Sequence, residues 1–249
     1  MQRVAGQPAY VLHAQPYRET SLLLDVFCRD QGRVGVVARG VRGSRGQPLR
    51  VLLQPLQPLH LSWSGRGELA HLDGAEAAGA ALRPVGDALL GAFYLNELLL
   101  RLLPRSEPQV ELFWRYAETL GALQDGGELR WPLRRFERDL LAAIGYGLVL
   151  EREADGGLPL DPLARYRYDP AHGPVRVSAS STAGTVSGAC LMALSSDEVP
   201  DARDLNELRF LMRRVLLHCL GGRELRSWQV LSDIAAQRRE IDAADQGGS

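Results

Sequence analysis

Arg33, Arg39, Arg42, Arg45 and Arg50 all fall within the stretch "RVGVVARGVRGSRGQPLR", residues 33–50, interleaved with glycines at 40, 43 and 46. Guanidinium groups are planar donor forks that match phosphate oxygens, and glycines let backbone amides approach a phosphate chain. Residues 29–50 hold six arginines against one acid, Asp30, in a chain whose formal charge is −1. The spacing predicts an electrostatic footprint for a polyanion, with a merely soluble surface loop as the alternative. Arg18, on an earlier turn, extends the same patch. Aromatic platforms for stacking bases are sparse: Tyr10, Tyr17, Phe27 and Trp63, of which Tyr17 and Trp63 are the better choices.

Other chemistry finds little support. All 29 basic residues are arginine, so a lysine-dependent phosphate loop, a kinase-type ATP site and a Schiff-base mechanism are excluded. The five histidines (13, 60, 71, 172, 218) are scattered, with no pair at i, i+4, and His218 reads as a structural residue on a buried-looking helix. In "GTVSG", 184–188, the serine is misplaced for a nucleophile elbow. Glu137 and Asp139 lie two apart and face different sides of a helix. Cys28, Cys190 and Cys219 form no CxxC, so neither a disulfide framework nor a structural zinc site is expected. The reading is of a protein without enzyme activity, metal or cofactor.

The elements that must position these residues divide the chain in two. Residues 1–80 carry nine arginines against six acids, and residues 81–249 carry twenty against twenty-four. The first part reads as five short strands: 9–13, 21–28, 34–41, 56–63 and 68–74, with a longer insertion before the fourth. That pattern predicts a small OB-fold barrel, with Pro55 and Pro58 placing the fourth strand at an edge or bend. After a small-residue passage at 75–87 the period becomes helical. Stripes at Leu89, Phe93, Asn96, Leu100 and Leu103, then at Leu112 to Leu123, then at Leu133 to Ile144 predict three helices that bury one another. Residues 151–194 are irregular, with β-like "YRYD" and "VRVSAS". A helix follows Asp204, another covers "RELRSWQVLSDIAAQ", and the tail is frayed. The expected fold class is α+β, an OB-fold barrel at 1–80 followed by a mainly helical domain at 81–249. No segment is apolar enough to span a bilayer, and the amino terminus lacks a signal peptide, so a cytosolic protein is expected.

Several phrases together resemble the bacterial DNA repair protein RecO family. They are "YVLHAQPYRETSLLLDVFCRDQGRVGVVARGVR", "LQPLQPLHLSWSGRGEL", "FYLNELLLRLLP", "RRFERDLLAAIGYG" and "HCLGGRELRS", in the family's order. The resemblance implies a non-enzymatic recombination mediator, acting in the cytoplasm at the nucleoid. Such a protein binds single-stranded and double-stranded DNA, anneals complementary strands and helps load the RecA recombinase. It works with RecR and with the tail of single-strand-binding protein. Many family members hold zinc with four cysteines after the "GY" motif. Here only Cys190 falls in that interval, so a zinc site is not expected. An acidic tail needs guanidinium groups beside an apolar groove, and "ELRWPLRRFERDLL" offers Arg130, Arg134, Arg135 and Arg138 next to Leu133 and Phe136. The alternative there is a core Phe136 and a solvated arginine face. An OB-fold RNA-binding protein or a scaffold without a DNA-repair role is the competing reading of the whole chain.

Overall fold

The computed structural model describes residues 2–43, 46–65, 69–178 and 183–234. Alternation builds the barrel: in β2 (Ser21–Cys28) the side chains of Leu22, Leu24, Val26 and Cys28 enter the barrel core. β3 (Gly32–Ala38) returns antiparallel, with Ala38 opposite Leu22. β1 (Gln2–Tyr17) is much longer than the 9–13 segment expected, and its register shifts at Val4/Gln7 and at Val11/His13. Such irregularities bend a strand, and β1 pairs with β4 (Pro58–Gly65) along its first part and with β2 along its second. β5 (Leu69–Ala77) runs antiparallel to β4 and parallel to β3, closing the barrel in the order β1-β2-β3-β5-β4. This is the five-stranded OB-fold barrel anticipated. Closure corrects one detail: β4 has a partner on each side, so it is no edge strand, and Pro58 is accommodated as its first residue.

The basic stretch leads into α1 (Gln47–Leu52), with a proline in its first turn. Leu49 and Leu52 pack against the barrel core and Leu53 is fully buried in it. A Cβ at Gly46 would lie 2.3 Å from the Gly40 carbonyl oxygen, so the loop doubles back tightly. Glycine is required there by the chain's own packing.

α2 (Asp87–Leu102), α3 (Val110–Gln124) and α4 (Arg130–Ala143) form the start of the helical domain. The expected stripe on α2 is part of a wider buried face: Asn96 and Leu103 are buried and Leu89 and Leu100 pack against the core, Phe93 is 45% exposed, and Ala92, Leu95, Leu98 and Leu99 are buried as well. α2 meets β1 as well as α3 and α4, so its buried face is broad and a single stripe does not describe it. Residues 165–187 supply a small sheet of order β7-β6-β8, from β6 (Arg165–Asp169), β7 (Gly173–Val177) and β8 (Val186–Ser187). α5 (Gly188–Ser196) is capped by Ser187, which accepts from the Cys190 amide, and α6 (Ala202–Cys219) by Asp201, which accepts from the Asp204 amide. His218 is exposed, not buried as its neighbours suggested. The chain is helical again over 226–234, where the Glu97 carboxylate accepts from the Arg226 and Ser227 amides. No helix among the described residues is long and apolar enough to cross a membrane.

The outside of the barrel and the helices share one core. Tyr10, Leu12, Phe27 and Leu56 belong to the same buried cluster as Leu95, Leu99, Phe113 and Tyr116. Tyr10 meets the Tyr116 ring edge-on at 5.2 Å, and Phe27 meets Phe113 at 5.5 Å. Asn96 bolts the two parts together: its Nδ2 donates to the Leu12 carbonyl at 3.1 Å, and its Oδ1 accepts from the Tyr116 hydroxyl at 2.5 Å.

Candidate nucleic-acid interface

Tyr17 pairs with Ser21, so the β1–β2 turn carries Arg18, Glu19 and Thr20 at one end of the barrel. Arg18 adopts a left-handed backbone, φ 52°, and its guanidinium carbon lies 5.3 Å from the Tyr17 ring centre. Since β3 ends with Ala38 opposite Leu22, the basic loop leaves the barrel beside this turn. The Arg42 amide donates to the Thr20 carbonyl at 2.9 Å, and Arg42 Nη1 donates to the Arg18 carbonyl at 3.2 Å. Val41 is buried and pins the loop, while Arg39 and Arg42 on either side of it stay exposed. Arg39 Nη2 lies 3.0 Å from His71 Nε2 on β5. Arg18, Arg39 and Arg42 make no ion pair among the described residues. Arg50, exposed on α1, donates to the Gln47 side chain at 3.0 Å. The fold thus gathers Tyr17, Arg18, Arg39 and Arg42 from two loops onto one end of the barrel. That end can neutralise phosphates and offers one half-buried ring for a base.

Other residues of the expected patch lie elsewhere. Arg33 is the second residue of β3, and six steps along the chain carry it about 20 Å from Arg39. It is mostly buried and 3.7 Å from Asp25, which also takes Arg105 at 2.6 Å. Burial, then the neighbouring Arg105 charge, lower its pKa despite Asp25. Arg33 is a junction residue between barrel and helices and does not belong to the exposed patch. Trp63 is only 6% exposed inside the barrel core, so it is no stacking platform. Phe27 is buried against Phe113 and is unavailable too. Arg45 lies outside the described residues.

The arginines of α4 divide in the same way. Phe136 is fully buried, Leu133 packs against the core, and Arg134 is buried in a pair with the fully buried Glu137. Phe136 and Arg134 are therefore not free to line a surface groove, which corrects that part of the expected tail site, while Leu133 stays half-buried. The cause is helical period: 133, 136, 137 and 140 share the inward face. Glu137 also accepts from the Tyr94 hydroxyl at 2.5 Å. Its burial raises the carboxyl's pKa, against the opposing pull of Arg134 and Tyr94. Arg130 forks onto Glu128 at 2.9 and 2.6 Å, and that hydrogen bonding lowers the Glu128 pKa to about 2. Arg135 and Arg138 converge on Asp197, at 2.7 and 2.5 Å. Burial pulls Asp197 upward, but the hydrogen bonds from Arg135 and Arg138 outweigh it and hold the carboxyl below its usual range. Beside this pair opens a cleft of about 500 Å³ lined by Arg138, Ala142, Leu148, Leu150 and Ser195. Nothing in the residue spacing points to Asp197, because it reaches α4 only through tertiary packing.

Cys190, Asp204 and Glu207 bring potential ligand atoms within 4.8 Å of one another. Each has another engagement: the Cys190 thiol donates to the Asp204 carbonyl at 3.3 Å and Glu207 takes Arg165 at 2.8 Å. Burial also pushes the thiol's pKa far up, away from the thiolate a metal needs.

A closed five-stranded barrel with a cationic end, welded to helices, defines the class of OB-fold proteins. The family model for "Recombination protein O N terminal" matches residues 1–81, and that for "Recombination protein O C terminal" matches residues 83–228. The DNA repair protein RecO of Stenotrophomonas maltophilia (strain R551-3) is 51% identical over 238 residues, 94% of this chain and 99% of that protein. The DNA repair protein RecO of Xanthomonas euvesicatoria pv. vesicatoria (strain 85-10) is 51% identical over 239 residues, again 94% and 99% of the two chains. The chain belongs to the RecO family of DNA repair and recombination proteins.

Proposed function

We propose that this protein is a recombination mediator without catalytic chemistry of its own. It binds single-stranded DNA, and double-stranded DNA through the same phosphates, along the barrel end formed by Tyr17, Arg18, Arg39 and Arg42, with Arg50 beside it. It anneals complementary strands and helps load RecA on DNA coated by single-strand-binding protein, together with RecR, in the cytoplasm at the nucleoid. The observation that carries this reading is the tie between the two loops, Arg42 to the Thr20 and Arg18 carbonyls, which assembles one unpaired cationic surface. If four phosphates are neutralised, affinity for an oligothymidine strand should fall with salt at a log–log slope of roughly −3. Replacing Arg39 and Arg42 by Ala should flatten that slope by about 1.4 units and leave thermal stability nearly unchanged. An unaltered slope in a folded double variant means the strand binds elsewhere. Competition with an RNA oligomer of equal length separates this reading from an RNA-binding one.

The tail of single-strand-binding protein is assigned to Arg135 and Arg138 and the adjoining cleft, with its carboxylates replacing Asp197 and its apolar part against Leu148 and Leu150. Arg138→Ala should weaken binding of an acidic tail peptide roughly tenfold, while Asp197→Ala should tighten it, since a competing internal carboxylate is gone. Fluorescence anisotropy of the labelled peptide reads both. Affinity unchanged in both variants places the tail at another surface.

A further inference from the structure

The helical domain has more acids than arginines, yet one of its faces does not. Residues 202–226, α6 and the turn after it, contain six arginines and three acids. Two of those acids are engaged: Glu207 by Arg165 at 2.8 Å and Glu224 by Arg213 at 2.9 Å. The third, Asp204, is partly buried, and burial raises its pKa. Arg209, Arg214, Arg223 and Arg226 make no ion pair among the described residues, nor does Arg167 on the neighbouring β6. Arg214 donates one N–H each to the Gly184 and Tyr168 carbonyls at 3.0 and 2.9 Å, which fixes its position and leaves its charge and its other N–H groups uncompensated. Those bonds and the Arg165–Glu207 pair lay α6 alongside β6.

On the same outward face Phe210 is 61% exposed, and the Arg209 guanidinium lies 5.3 Å from its ring centre. An exposed phenylalanine amid unpaired arginines is poorly explained as a solvated surface, because burying that ring elsewhere would be favourable. It is well explained as a platform on which a base stacks while the arginines take phosphates. From Arg203 to Arg214 the helix runs about 16 Å, long enough to follow several nucleotides. α6 itself rests on α4, α5 and β8, whereas the barrel is joined through α2 and α3, so the two cationic surfaces belong to different layers.

The geometry points to a second single-strand-binding surface on the outer face of α6, with Phe210 stacking a base and Arg167, Arg209 and Arg214 contacting phosphates. The inference rests on the DNA-binding reading and goes beyond it. One protein then holds two strands at once, and their encounter becomes intramolecular.

The test uses the full chain carrying Arg167→Gln, Arg209→Gln and Phe210→Ala, three exposed side chains with no hydrogen-bond or ion-pair partner among the described residues. Expected are a salt slope for oligothymidine flattened by about 1.4 units and annealing of complementary oligonucleotides slowed at least about tenfold. The melting temperature should be unchanged. Slope and annealing rate equal to those of the unsubstituted protein overturn the proposal. So does a variant that keeps its DNA slope but loses binding of polyglutamate, since the face would then take an acidic protein. If the unsubstituted protein itself shows no salt-dependent DNA affinity, the underlying DNA reading fails with it.

Discussion

Replacing Arg134 by Ala should destabilise the fold by about 3–5 kcal/mol, because it strands the Glu137 carboxylate in a dry interior. Glu137 is completely buried, and its remaining partner is the Tyr94 hydroxyl. The loss should depend on pH, with a definite sign. Burial raises the folded pKa of Glu137 above its unfolded value, so the native state holds this proton more tightly than the unfolded chain. The contribution is present at low pH and is lost as pH rises through the folded pKa. Removing the nearby cation raises that pKa further, so Arg134→Ala should be closer to the parent protein at pH 5 than at pH 8. Urea denaturation at the two values checks it, and a loss that is larger at pH 5 contradicts the assignment. Arg134→Met combined with Glu137→Leu should recover most of the stability, since the pair gains little over an apolar filling.

Asn96→Leu should cost about 2–4 kcal/mol, although leucine is close in size and apolar in surroundings that are largely apolar. The loss comes from two buried groups left without partners, the Leu12 carbonyl and the Tyr116 hydroxyl. Since these lie on the barrel and on α3, unfolding of the variant should lose its single transition as well as its stability. Separate melting of barrel and helices, followed by tryptophan fluorescence and by circular dichroism, is the expected signature. A variant as stable as the parent, melting in one step, shows that apolar packing alone joins the two parts.

Strand alternation and turn residues made the barrel legible, and Arg18, Arg39 and Arg42 could be placed on it because loops between strands face solvent. Arg33 was misplaced for a physical reason: on a linear plot it neighbours Arg39, but a strand carries the two to opposite ends. Trp63 and Phe136 illustrate another limit. An aromatic that can stack on a base can equally fill a core, and the choice is made by which face of the element points inward. Asp197 was invisible because its partnership with Arg135 and Arg138 spans two helices distant in sequence. The α6 surface escaped attention through averaging, since acids elsewhere in the helical domain cancel its arginines in any net charge.

The apolar outside of the barrel has a consequence for the order in which the chain becomes safe. Synthesis delivers the amino-terminal half first, and the barrel can close once β5 has emerged at Ala77. Tyr10, Leu12, Phe27 and Leu56 then still face water, because Phe113 and Tyr116 belong to a segment made later. Through that interval a newborn chain carries a complete barrel with a greasy flank, open to a chaperone or to another nascent copy. The helices are therefore a cover as much as a domain.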